Sequence, residues 1–240
     1  MRKTELNFFE NGNCLAGYDY YPFYEIFKSI RFLIGIKTKN EKELRGIYYT
    51  IIIQCTTLIE GMSGQIINSS IEHRFYEIEN FSKKDKEFYK RILQNLEKTV
   101  NNSFFRELEK NWEVVYDQDL KKAVNEKDSE LWKSITTLFQ IRNAISHGHL
   151  LTVEYHPTGN NNDFDIKVLD KYKGIYSFLT EKKLIEADRL GMVHLVNKKV
   201  VEFFIEEATK FINAIILSIP NNRDKSLALN KYQFIREQTL

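Results

Sequence analysis

Apolar residues return every three or four positions over six stretches of the chain, and each stretch predicts a helix. Phe23, Ile26, Phe27, Ile30, Leu33 and Ile34 mark the first, over 22–36, with Pro22 at its start. The second opens at Asn40, with Glu43 three residues on as a capping-box partner, and runs through Leu44, Ile47, Ile51, Cys55, Leu58 and Met62 towards Ile67. Near Ile51–Ile53 its apolar residues cover most of the circumference, so it is expected at the centre of the fold. Phe88, Ile92, Leu96 and Val100 predict a third helix from Ser82, and Phe104, Phe105, Leu108 and Trp112 a fourth, with Asn101–Ser103 between them. Asp117–Lys127 is a polar connection with a short helical turn.

Leu131, Ile135, Leu138 and Ile145 set out the fifth helix, for which Asp128 or Ser129 is a cap and Gly148 a stop. Beyond it the period shifts. Leu150, Leu151, Val153 and Tyr155, a loop from Pro157 to Asn162, and then Phe164, Ile166 and Val168 predict a β-hairpin. The segment Ile175–Ile185 reads equally as strand or helix. The last long helix runs from Asn197 through Phe204, Phe211 and Ile216 to Pro220. The expected architecture is therefore mainly α, an up-and-down helical bundle with a small β-hairpin inserted before the last long helix. It forms one domain over 1–220, with an N-terminal extension (1–39), an insertion (150–190) and a polar tail (221–240).

Composition narrows the function classes. The 240 residues are 42% hydrophobic, enough for a sizeable core, and only three are proline. Thirty-five Lys and Arg against 33 Asp and Glu leave a net charge of +2, so any hold on nucleic acid has to come from a local patch. Cys14 and Cys55 form no disulfide framework or zinc pattern, and no apolar leader follows Met1-Arg2-Lys3, so a reduced, cytoplasmic protein is expected. The longest apolar run, Ile47–Ile53, is far below the roughly 20 residues of a membrane span. His73, His156 and His194 have no ligand-like spacing, so neither metal nor cofactor is expected. The Tyr18–Phe23 aromatics read as packing for the N-terminal arm, and Lys83–Glu87 as a solvated helix start.

The chemistry concentrates at the end of the fifth helix, in Arg142-Asn143-Ala144-Ile145-Ser146-His147-Gly148. Asn143 and His147 stand four apart and share a face, whereas Arg142 and His147 diverge by roughly 140° at 100° per residue. One straight helix cannot bring the guanidinium and the imidazole together. This segment resembles the R-x4-6-H motif of HEPN domains, with Asn143 meeting the polar residue that the family favours after Arg. The resemblance covers Glu41–His149 and the last long helix. It implies a helical bundle in which two protomers unite their motifs into a metal-independent endoribonuclease site, in a toxin-antitoxin or antiphage defence setting.

On that resemblance Arg142 and His147 are the catalytic pair. Imidazole titrates near neutral pH and serves as base or acid, while the guanidinium keeps its charge beside a phosphate. Asn143 would hold the imidazole or the substrate; Ser146 and His149 would be accessory. Glu60, a carboxylate within an apolar run, is a candidate to orient Arg142 or act in the site; the plainer readings turn it to the polar side of its own helix or pair it with Arg142 as an ordinary ion pair. The implied partners are RNA, a second copy of the chain and an antitoxin or other defence protein. The alternative function is a HEPN-like module that binds RNA or a nucleotide, or assists assembly, without cleaving. Antitoxin-paired members often carry Tyr two residues after the motif His, where this chain has His149.

Overall fold

The computed structural model describes residues 9–10, 13–14, 22–76, 104–147, 153–158, 164–186 and 191–233. Over these it is mainly helical: α1 (Phe23–Ile34), α2 (Glu41–Tyr76), α3 (Phe104–Tyr116), α4 (Leu120–Asn125), α5 (Leu131–Ser146), α6 (Asp170–Glu181), α7 (Met192–Leu195), α8 (Lys198–Ser218) and α9 (Asn222–Lys231). Two short antiparallel ladders accompany the helices. β1 (Phe9–Glu10) pairs with β2 (Asn13–Cys14), and β3 (Val153–Pro157) with β4 (Phe164–Val168) in a register that sets Tyr155 opposite Ile166. The second ladder is the hairpin expected between the motif helix and the last long one. The segment that read either way becomes α6, whose Tyr172, Ile175, Tyr176 and Leu179 are buried at helical spacing. The helix predicted over 82–100, the aromatics 18–21, Gly148 and His149 lie outside the described residues.

The central role expected of the second helix follows from its sequence. Ile51, Ile52, Cys55, Leu58, Ile59 and Met62 are all at most 2% exposed, and each fully buried aliphatic side chain contributes about 1.5–3 kcal/mol. Such a wide apolar circumference needs cover on several sides, and α1, α3, α5 and α8 supply it. Its start is fixed by Asn40, whose Oδ1 accepts from the N–H groups of Lys42 and Glu43 while its Nδ2 donates to the Glu43 carboxylate at 3.0 Å. The helix continues to Tyr76 rather than stopping near Ile67. Ser70, in that extra length, exchanges a buried hydrogen bond with the Tyr116 hydroxyl at 2.5 Å, so the extension is tied to α3. α1 runs antiparallel along α2: Ser29 accepts from Gln54, and Phe23 packs over Gly61.

Two expectations need correction. Residues 221–233, expected as part of a polar tail, are not loosely attached. Asn221 caps α9 by accepting from Arg223 and Asp224, and Asp224, Ala228 and Tyr232, spaced by four, turn inwards. The Tyr232 hydroxyl donates to Gln65 of α2 at 2.6 Å, so the domain reaches at least this far. The overall polarity of 221–232 concealed a narrow inward stripe. Nor does Asp128 or Ser129 occupy the N-cap of α5. Glu130 takes that place without a side-chain cap, and Asp128 instead bonds the Glu130 N–H in the turn before it.

Candidate functional site

The candidate residues sit where α5 leaves the core. Trp132, Ile135, Leu138, Phe139 and Ile141 are buried, whereas Arg142 is half-buried and Asn143, Ser146 and His147 are exposed. The helix is clamped before it emerges. Phe139 stacks on Phe104 of α3 with ring centroids 5.0 Å apart and planes nearly parallel, Phe105 meets Trp132 at 5.4 Å, and Trp132 meets Phe211 of α8 at 5.7 Å. Aromatic pairs of this kind add about 0.5–1.5 kcal/mol beyond their buried area. The last turn therefore projects from a rigid base.

Arg142 is held from three sides. Its Nη2 donates to Glu60 Oε1 of α2 at 2.5 Å, its Nη1 donates to Asn143 Oδ1 at 3.1 Å, and its guanidinium carbon lies 5.5 Å from the centroid of the Phe139 ring. Glu60 is therefore turned to Arg142 rather than to the polar side of its own helix. The pair is partly shielded from water, with the two side chains 25% and 35% exposed. Burial pushes the Glu60 carboxyl above its ordinary value, and that effect outweighs the attraction of Arg142 and its hydrogen bond, which act the other way.

His147 closes α5 at the C-cap position. Its backbone N–H donates to the Asn143 carbonyl at 3.0 Å, and its φ of −94° and ψ of 7° leave the helical range. The side chain is exposed, one and a half turns from Arg142. The divergence read from the sequence thus persists: Arg142, Asn143 and Glu60 come together, Ser146 lies exposed on the same turn, and His147 stands at its outer margin. Phe139 is the one member of the cluster that the sequence does not single out. Its position three before Arg142, one turn below on nearly the same face, was the available signal.

Among the described residues no three His, Cys, Asp or Glu side chains are placed to hold a metal ion. A cavity of about 340 Å³ lies at the junction of α3 and α4, lined by Glu109, Glu113, Asp117, Asp119 and Lys121 among others. It includes none of the candidate residues. No described helix is long and apolar enough to cross a membrane. Comparison with known protein families, with curated proteins and with solved structures finds no match for this chain.

Proposed function

We propose that the chain is a metal-independent endoribonuclease of the HEPN type, its site completed by two copies meeting at the exposed ends of α5. One observation carries this reading. An arginine is held at the surface by a carboxylate, an amide and an aromatic ring, at the same end of α5 as an exposed histidine. Fixed cationic donors placed where charge develops are the largest ordinary source of catalysis in phosphoryl chemistry. In the reaction His147 accepts the proton of an RNA 2′-hydroxyl, and the 2′-oxygen attacks the adjacent phosphorus. Arg142 meets the growing negative charge on the non-bridging oxygens. The 5′-oxygen leaves with a proton from the second copy's imidazole, and the products are a 2′,3′-cyclic phosphate and a free 5′-hydroxyl. Because Arg142 and His147 diverge on their own helix, the second copy is what places an imidazole opposite a guanidinium. The cellular setting that accompanies this reading is cytoplasmic toxin-antitoxin or antiphage defence, with a neutralising protein partner.

The test is purified protein incubated with mixed RNA in the presence of a chelator. Wild type should cut and leave cyclic phosphate ends. His147→Ala and Arg142→Ala should each lower the rate at least 10²-fold, within the roughly 10²- to 10⁴-fold that a positioned acid or base supplies. Cutting that survives both substitutions refutes the assignment. The Glu60–Arg142 ion pair favours a second reading, a HEPN-like module that holds RNA or a nucleotide without cleaving, since it balances the one charge the chemistry needs. That reading predicts binding weakened by Arg142→Ala with RNA intact throughout.

A further inference from the structure

Arginine carries five N–H donors, and Arg142 commits one to Glu60 and one to Asn143. Its other three find no protein acceptor among the described residues. Glu60 also engages it at a single point, Oε1 to Nη2, rather than through the parallel two-bond fork usual for an Arg–carboxylate pair serving stability. Phe139 lies against the guanidinium, itself stacked on Phe104. A freely moving surface arginine loses most of its rotamer freedom when it grips a ligand, and here much of that loss precedes binding. A carboxylate this close to the cation also repels any phosphate that approaches it.

We infer that Glu60 is a positioning residue for Arg142, which aims the guanidinium's remaining N–H groups at a phosphodiester and competes with that phosphodiester for the same cation. The inference rests on the nuclease reading and deepens it. It predicts effects of opposite sign on turnover and on affinity. Glu60→Gln keeps the shape of the side chain but removes its charge, so the cation attracts phosphate more strongly while its aim loosens. Turnover of RNA should fall about 10-fold or more, because a misplacement of about 1 Å in such a site can cost 10²-fold. Affinity for a DNA oligonucleotide, which lacks the 2′-hydroxyl and stays uncut, should rise about 3- to 10-fold, as expected for one uncompensated charge near the surface. Glu60→Asp keeps the charge and shortens the reach, so turnover should fall while affinity stays at the wild-type level.

Single-turnover cleavage and fluorescence anisotropy on wild type and both variants, each checked for folding by circular dichroism, test this directly. The split between the two variants supports the role. Wild-type protein that cleaves RNA while both variants match it in turnover and affinity overturns the role of Glu60 and leaves the nuclease reading standing. Losses of turnover that only track lost folding, with no rise in affinity in Glu60→Gln, also overturn it, since a purely structural ion pair behaves that way. Wild-type protein that leaves RNA intact overturns the nuclease reading, and this role with it.

Discussion

Gly61 and Gly64 lie three residues apart in the interior of α2, and replacing each with alanine should move stability in opposite directions. A mid-helix glycine costs about 0.8–1.0 kcal/mol relative to alanine, so both substitutions begin with a gain of about 1 kcal/mol. At Gly64 nothing lies within 4 Å of the added Cβ, so the gain is kept. At Gly61 the new methyl would meet Phe23 Cε1 at 2.3 Å and Cζ at 2.9 Å, against roughly 3.5–4.0 Å for carbon atoms in contact. The ring begins α1 and is partly buried against the core, so moving it disturbs the α1–α2 seam. Overpacking of this kind costs about 1–3 kcal/mol, which cancels or exceeds the gain. Gly64→Ala should raise Tm by about 2–4 °C for a chain of this length, and Gly61→Ala should leave it level or lower it by up to about 8 °C. Urea unfolding followed by far-ultraviolet circular dichroism measures both, provided the m-values agree. Phe23→Ala supplies the decisive background: without the ring, Gly61→Ala should recover the full gain, a coupling of about 1–3 kcal/mol. If Gly61→Ala stabilises the otherwise unaltered protein as much as Gly64→Ala does, the placement of α1 on α2 described above is wrong.

Three further outcomes are expected. Because burial holds the Glu60 carboxyl above its ordinary value, the folded chain keeps a proton there that the unfolded chain has released. Stability should therefore fall as pH rises through that window, and Glu60→Gln should flatten this part of the urea midpoint against pH; an unchanged slope would count against it. Cys55 is 1% exposed and its thiol is pushed up to about 12, leaving about one thiolate in 10⁴ at pH 8. In a Cys14→Ser background a disulfide reagent should therefore react only after urea is added, and prompt labelling of the native protein would show that α2 opens. Asn197 caps α8 through Val200 at 3.1 Å and also donates to the Leu184 carbonyl at 3.0 Å. Asn197→Ala should cost about 1–3 kcal/mol in thermal unfolding, and Asn197→Asp, which keeps only the cap, should fall between it and wild type.

The helices that periodicity revealed are those whose buried face is broad. Ile51 to Met62, and Val200 to Ile216, repeat apolar residues often enough that local pattern and final packing agree. α9 escaped because its buried face is a single file of Asp224, Ala228 and Tyr232, too polar on average to stand out from its neighbours. The far end of α2 escaped for a related reason, since Ser70 is buried there by a hydrogen bond to Tyr116 rather than by its own hydrophobicity. At the candidate site, spacing along one helix sufficed to set Arg142 and His147 on divergent faces. What spacing along one helix cannot supply is a partner 82 residues away, so the sequence left the direction of Glu60 open and only the packing of α2 against α5 turns it to Arg142.

The length of α2 has a consequence for how the chain is made. Its most extensive neighbour, α8, begins at Lys198, roughly 120 residues after α2 ends at Tyr76. At about 5–20 residues per second, a ribosome takes roughly 6–24 s to deliver that cover. Throughout the interval Ile51, Ile52, Leu58 and Ile59 have only their earlier neighbours to shelter them. Synthesis in a cell short of nascent-chain chaperones should therefore lose more of this protein to aggregates than its final compactness implies, and slowing translation should deepen the loss.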